Sequence, residues 1–183
     1  MRHPRCVLEK LQAEKLLLNI KKCSFMKSEL VYLGFVISKD GLKMDLEKVQ
    51  AIVDWPSPQS IFEVRSFHDL ASFYRKFIKK FSGICSPIVE TIRKDKQPFK
   101  WTAEAESNFQ LLKKKITEQP VLGLPDFGKP FQVKCDASGV AIGVVLSQKD
   151  KPVAYFSEKL NASKQKYSSY DKEFYAILQA LKH

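Results

Sequence analysis

Apolar residues recur along this chain with two periods, and the switches between them outline its elements. Over residues 5–18, Val7, Leu8, Leu11 and Leu18 share one stripe, which predicts a helix. The run Leu30-Val31-Tyr32-Leu33-Gly34-Phe35-Val36-Ile37 is rich in β-branched and aromatic residues and reads as strand. Asp40-Gly41 is a turn signal, after which Leu42–Met44 can return as a short strand. Asp45 is placed to cap a short helix that turns Leu46, Val49 and Ile52 inward and stops at Pro56 and Pro58.

The clearest helical pattern follows. Ser60-Ile61-Phe62-Glu63 has the spacing of a capping box. Phe67, Leu70, Ala71, Tyr74, Phe77, Ile78 and Phe81 then keep a helical period, which predicts one helix from Ser60 to Ser82, closed by Gly83 and Pro87. Its other face carries Arg65, Arg75, Lys76, Lys79 and Lys80. The aromatic stripe reads as core rather than as a platform for stacking bases. The basic face is either an ordinary solvated surface or a contact for a polyanion. A further helix fits residues 103–118, with Ala105, Phe109, Leu112 and Ile116 inward and Lys113-Lys114-Lys115 near its end, where cations suit the helix dipole.

Between Pro120 and Pro130 the chain holds three prolines and two glycines, which places a domain boundary there and divides the chain into 1–122 and 123–183. Beyond it Phe131, Val133 and Cys135 alternate with polar residues, Ala141–Leu146 is nearly continuous apolar sequence, and Pro152–Phe156 begins a third strand. Ser169 can cap a last helix with Phe174, Ile177, Leu178 and Leu181 on its stripe. The predicted class is α+β: a mostly helical part with a β-hairpin, then an α/β unit of three strands and a helix. That unit reads as an incomplete sheet with an open edge.

Composition sharpens this outline. The 183 residues suffice for one medium or two small domains, and 44% hydrophobic with 28% charged residues describes a globular chain. No apolar run approaches the roughly 20 residues that span a membrane. The polar, basic start from Met1 to Cys6 lacks the apolar segment of a secretory signal, so an intracellular location, cytoplasmic or nuclear, is expected. A net charge of +11 favours nucleic acid as partner. Most of it belongs to residues 1–122, with 22 basic against 14 acidic side chains. Cys6, Cys23, Cys85 and Cys135, like His3, His68 and His183, are too scattered to suggest zinc or disulfides.

Two carboxylates stand out as candidate chemistry. Asp136 ends the first strand of the second part, and Glu173 lies at the edge of the last helix's apolar stripe. Converging carboxylates attract a hard cation such as Mg²⁺, and two ions roughly 4 Å apart support phosphodiester hydrolysis. Spacing alone leaves the plainer alternatives open, a turn-forming Asp and a surface Glu.

Several segments strengthen the case. Tyr32-Leu33-Gly34-Phe35, Ala51-Ile52-Val53-Asp54-Trp55-Pro56, Val64-Arg65-Ser66-Phe67, Phe73-Tyr74-Arg75-Lys76-Phe77-Ile78 and Phe99-Lys100-Trp101 resemble the palm end and thumb of gypsy-class long-terminal-repeat retrotransposon reverse transcriptases. Pro120-Val121-Leu122, Lys134-Cys135-Asp136-Ala137-Ser138, Ile142-Gly143, Val145-Leu146-Ser147-Gln148, Ala154-Tyr155-Phe156-Ser157 and Tyr170-Asp171-Lys172-Glu173 are similar to the N-terminal half of the ribonuclease H domain that follows in those polyproteins.

The resemblance implies RNA-directed DNA synthesis and Mg²⁺-dependent hydrolysis of RNA in RNA–DNA hybrids as the family's activities. It implies that Tyr32, Leu33, Gly34 and Phe35 form the primer grip. Arg65, Arg75, Lys76, Lys79 and Lys80 would contact the phosphates of a template–primer duplex, and Asp136 and Glu173 would be the first two metal-binding carboxylates. The chain departs from the family in three ways. No Tyr-x-Asp-Asp polymerase turn occurs in it, the later ribonuclease H carboxylates are expected beyond His183, and His68-Asp69 stands where a glycine is expected second. The opening Met1–Cys6 resembles a new start inside an older coding sequence. Three readings follow: an enzyme that needs further parts of the polyprotein and is inactive as this chain alone, a non-catalytic nucleic-acid-binding remnant, or a decayed fragment without function.

Overall fold

The structure is a computed structural model and describes residues 2–93 and 98–183. The elements in order are α1 (Arg2–Ala13), β1 (Glu29–Tyr32), β2 (Phe35–Ser38), β3 (Gly41–Met44), α2 (Leu46–Val53), α3 (Ile61–Phe73), α4 (Phe81–Glu90), α5 (Ala103–Thr117), β4 (Gln132–Ala137), β5 (Ala141–Gln148), β6 (Lys151–Lys159), α6 (Ala162–Gln165) and α7 (Ser169–Lys182). Two antiparallel three-stranded sheets, β1-β2-β3 and β4-β5-β6, stand among the helices, so the class is α+β as the pattern predicts.

Local chemistry explains the boundaries. The apolar run 30–37 folds back on itself because Leu33 and Gly34 both take positive φ, +49° and +76°, as the tight I′ hairpin turn requires. Tyr32 therefore faces Phe35 across β1 and β2. Asp45 caps α2 by accepting from the Glu47 N–H at 3.2 Å. Val49 and Ile52 turn inward as expected, whereas Leu46, at the open first turn, stays 77% exposed. Ser60 caps α3 by accepting from the Glu63 N–H at 3.2 Å, and the Glu63 carboxylate in turn accepts from the Gln59 N–H at 2.7 Å. Thr102 caps α5 in the same way, and Ala105, Phe109, Leu112 and Ile116 are all fully buried.

Two predicted helices differ in form. The first, over residues 5–18, is α1 instead: it starts earlier and ends at Ala13, where Lys15 follows with φ +55°, and Val7, Leu8 and Leu18 are exposed. The single helix from Ser60 to Ser82 is three pieces. α3 ends at Phe73, a 3-10 turn spans Arg75–Phe77, and α4 starts after Lys80, whose φ of +60° breaks the helical path. The apolar period runs through the break because Tyr74, Phe77, Ile78 and Phe81 all enter the core that the α3 and α5 residues share. Gly83 and Pro87 lie inside α4 rather than closing it.

The core joins β3, α2, α3, α4 and α5, with Phe67 against both Trp55 and Phe109. A smaller cluster of Ile142, Leu160 and Ala176 lies under the second sheet. α7 packs on that sheet through Ala176 and the half-buried Tyr175, and its cap is Ser168 rather than Ser169. The stripe of Phe174, Ile177, Leu178 and Leu181 faces solvent, the reverse of the expectation.

The Pro/Gly-rich stretch is pinned near its start. Leu42 and Leu122 exchange N–H···O bonds of 2.8 and 2.9 Å, tying the stretch to β3, and the Gly123 N–H reaches the Pro152 carbonyl at 2.7 Å. Gln148 on β5 holds the loop itself. Its side-chain oxygen accepts from the Asp126 N–H at 2.9 Å, and its amide nitrogen donates to the carbonyls of Asp126 and Lys129 at 2.9 and 3.0 Å. Gln148 is buried, so Gln148→Ala orphans several backbone groups at once. We expect a loss of about 2 kcal/mol, read as a fall of roughly 5 °C in the thermal melt.

Candidate nucleic-acid interface and carboxylate site

The basic residues of segment 60–82 divide by what they already hold. Arg75 donates from Nη2 to the Ser157 carbonyl at 3.0 Å and lies over the Phe156 ring. Lys76 sits 4.0 Å from the centre of the Phe35 ring, and desolvation lowers its pKa. Lys80 reaches the Asp136 carboxylate at 2.6 Å. Arg65 and Lys79 are exposed and have no hydrogen-bond or ion-pair partner among the described residues. The five cations are thus not equivalent: two are open to a polyanion, and three brace the fold.

The hairpin 32–35 divides similarly. Tyr32 and Leu33 stand exposed at the tip. The Gly34 carbonyl accepts from the Asp45 N–H at 3.1 Å and from the Tyr74 hydroxyl at 3.5 Å. Phe35 stacks on Phe73 and Phe77, with ring centres 5.0 and 5.7 Å apart. The inner half of the hairpin is fixed to the helical core, and the outer half is presented to solvent.

Asp136 lies on β4 opposite Gly143 of β5. It borders a cleft shared with Lys79, Lys80, Lys134, Gly143 and Tyr155, between the helical part and the second sheet. The hydrogen bond from Lys80 holds its carboxyl below the ordinary aspartate range, helped by the charges of Lys80 and Lys79. Glu173 is exposed on α7, the helix that packs on β4. Carboxylate oxygens are the donors Mg²⁺ prefers. Yet among the described residues no three His, Cys, Asp or Glu side chains gather as a metal site, and an ammonium already holds one Asp136 oxygen. As arranged here, Asp136 and Glu173 do not fit a metal ion by themselves.

Sequence reasoning missed the seam beside this cleft. The Ser82 N–H donates to Ser157 Oγ at 2.9 Å, and the Ser82 hydroxyl donates to the Ser157 carbonyl at 2.9 Å. Lys159 pairs with Glu90 nearby. No local pattern announces these contacts, because each partner looks like an ordinary surface residue in its own segment.

Comparison with known proteins places this geometry. Residues 101–183 match the family described as an RNase H-like domain found in reverse transcriptase, a match that begins just ahead of α5. The Retrovirus-related Pol polyprotein from transposon gypsy of Drosophila melanogaster is 38% identical over 192 residues, which cover 99% of this chain and 19% of the relative. The Pol polyprotein from transposon 297 of the same organism is 39% identical, covering 96% of this chain and 17% of the relative. The Tf2-3 transposon polyprotein of Schizosaccharomyces pombe is 36% identical over the whole chain and 14% of its own length. The chain is similar over nearly its whole length to a segment of the Pol polyproteins of gypsy and other retrotransposons.

It spans about a fifth or less of those Pol relatives. Solved reverse transcriptases share the fold. A foamy viral protease-reverse transcriptase solved with double-stranded DNA superimposes with a TM-score of 0.84 at 26% identity, over 96% of this chain and 31% of that one. The form solved with an RNA/DNA hybrid gives 0.83 at 26% identity, over 96% of this chain and 25% of that one. The Pol family generally uses a divalent metal. No helix among the described residues is long and apolar enough to cross a membrane.

Proposed function

We propose that this chain is the thumb and ribonuclease H-like segment of a retrotransposon reverse transcriptase, and that by itself it grips a nucleic-acid duplex without acting on it. The observation that carries the reading is the pair of open cations, Arg65 and Lys79, on a strongly basic helical part. Cations left unpaired by their own fold give phosphate affinity without sequence readout. The solved relatives hold double-stranded DNA or an RNA/DNA hybrid, which supports a duplex as the partner.

Within a whole Pol polyprotein the roles extend further. Residues 1–122 would serve as palm end and thumb, with Tyr32 and Leu33 at the hairpin tip meeting a primer strand and Gly34 and Phe35 holding the tip in place. Residues 123–183 would contribute Asp136 and Glu173 to Mg²⁺-dependent hydrolysis of RNA in a hybrid, beside RNA-directed DNA synthesis elsewhere in the polyprotein. Two carboxylates, one of them held by a lysine, leave the 183-residue chain short of that reaction when it stands alone.

The test is a thermal melt of the chain with and without an RNA–DNA hybrid, followed by a Mg²⁺-dependent cleavage assay on the same hybrid. At a hybrid concentration about one hundred times Kd, binding stabilises by about 2.7 kcal/mol, a rise of roughly 5–10 °C. An unmoved melt would remove the binding reading. Robust cleavage that disappears in Asp136→Asn would show that the isolated chain is an active nuclease.

A further inference from the structure

Among the described residues one buried side-chain polar atom has no hydrogen-bond partner, and it is Gln119 Oε1. A buried acceptor left unpaired costs free energy that a donor would return. The backbone cannot shift to relieve it. Ile116 before it is fully buried, Leu122 after it is tied to Leu42, and Pro120 restricts the residue it follows. Gln119 helps line a cavity of about 140 Å³ with Phe77, Ile78, Lys79, Lys115 and Tyr155. Phe77 and Ile78 are buried and make the cavity wall apolar, whereas Lys79 and Lys115 are exposed and put two ammonium groups at its mouth. The Tyr155 hydroxyl makes no hydrogen bond to the described residues, and burial raises its pKa, which keeps it a donor.

We propose that this cavity takes the base of one pyrimidine nucleotide: Gln119 turns its amide inward to accept from the base's N–H, and the phosphate rests outside against Lys79 and Lys115. Volume selects the ring. A dry cavity of about 150 Å³ accommodates benzene, whereas one water needs only about 30 Å³. The space therefore suits a single six-membered ring and is too small for the fused rings of a purine. The buried acceptor selects a ring that carries an N–H, as cytosine and uracil do and a plain aromatic ring does not. The exposed ammonium groups select an anionic tail. Glu118, at the same cavity, lies 3.8 Å from both Lys114 and Lys115, which tempers its repulsion of a phosphate. The inference goes beyond the grip on a duplex, since it engages one base outside any stack. The shared chemistry is a pyrimidine nucleotide, either free or unpaired at the end of a strand.

The experiment titrates the full 183-residue chain with cytidine monophosphate by calorimetry. Ribose phosphate, which lacks the base, and adenosine monophosphate, whose base is too large, should each bind about tenfold more weakly. Gln119→Leu removes the acceptor and keeps similar bulk. It should melt no lower than the unsubstituted chain, since no hydrogen bond is lost, and should bind cytidine monophosphate no better than ribose phosphate. Gln119→Met, with an unbranched side chain, repeats the test where the leucine variant is destabilised. Lys79→Gln should weaken both ligands alike, and Lys22→Gln, which removes an exposed lysine elsewhere, should weaken neither. An RNA–DNA hybrid with one unpaired cytidine at its end separates the sources. Tighter binding than the blunt hybrid, lost in Gln119→Leu, means that the nucleotide arrives on a strand. No such gain, with cytidine monophosphate bound, means that it arrives free. Cytidine monophosphate that binds the unsubstituted chain no better than ribose phosphate, or binds both Gln119 variants equally well, overturns the proposal and leaves Gln119 Oε1 to a trapped water. The blunt hybrid alone tests the grip on a duplex, so the two readings fail separately.

Discussion

Replacing Arg65 and Lys79 together by glutamine should lower the slope of log affinity against log salt for duplex DNA by about 2, since each lost phosphate contact removes roughly 0.9. Arg65 and Lys79 are exposed and hold no hydrogen bond or ion pair among the described residues, so their removal should take away the proposed phosphate contacts and leave the core alone. Arg75→Gln should behave in the opposite way. Its guanidinium is spent on the Ser157 carbonyl and the Phe156 ring, so the substitution should lower the melting temperature and leave the salt slope nearly unchanged. Lys76, over Phe35 and partly desolvated, should follow Arg75. The check is a salt titration of duplex binding from about 50 to 200 mM, where phosphate-driven affinity falls steeply. A double substitution that leaves the slope intact, while Arg75→Gln reduces it, would place the duplex on a different face.

The sequence pattern reads well wherever one local signal settles one local choice. Asp45, Ser60 and Thr102 cap their helices by accepting from a backbone N–H two or three residues on, a geometry written in the residue type. Residues 105, 109, 112 and 116 share one face of α5 and are buried without exception. The reading fails where burial depends on what lies across from a segment. Tyr74, Phe77, Ile78 and Phe81 keep helical spacing through a 3-10 turn and a left-handed lysine, because intervals of three and four suit both helix types. On α7 the most apolar face is not the packed one, since the sheet takes the small Ala176 and the amphipathic Tyr175. Asp136 is legible as a polar strand-end residue. Its partner Lys80 is not, because only the docking of the second sheet against α4 brings them together.

The chain leaves the first sheet through one short bridge, and Gly41→Ala should expose it. Gly41 takes φ +138°, a region that side-chain-bearing residues avoid, and an added Cβ would stand 2.0 Å from the Leu122 carbonyl oxygen. The obstacle is backbone, which cannot swing aside as a flexible side chain can. The same carbonyl accepts from the Leu42 N–H at 2.8 Å, so the clash falls on the hydrogen bond that ties the Pro/Gly-rich stretch to β3. Leu122, only 1% exposed, would be drawn out of the core with it. We expect a loss of about 3 kcal/mol, which for a chain of this size lowers the melting temperature by roughly 10 °C. Gly139→Ala is the control: nothing lies within 4 Å of its added Cβ, and it should stay within about 0.5 kcal/mol of the unsubstituted chain. If Gly41→Ala melts like that control, the Leu42–Leu122 bridge does not hold in solution. If it melts as expected, the bridge holds Leu122 in the core where the chain leaves the first sheet.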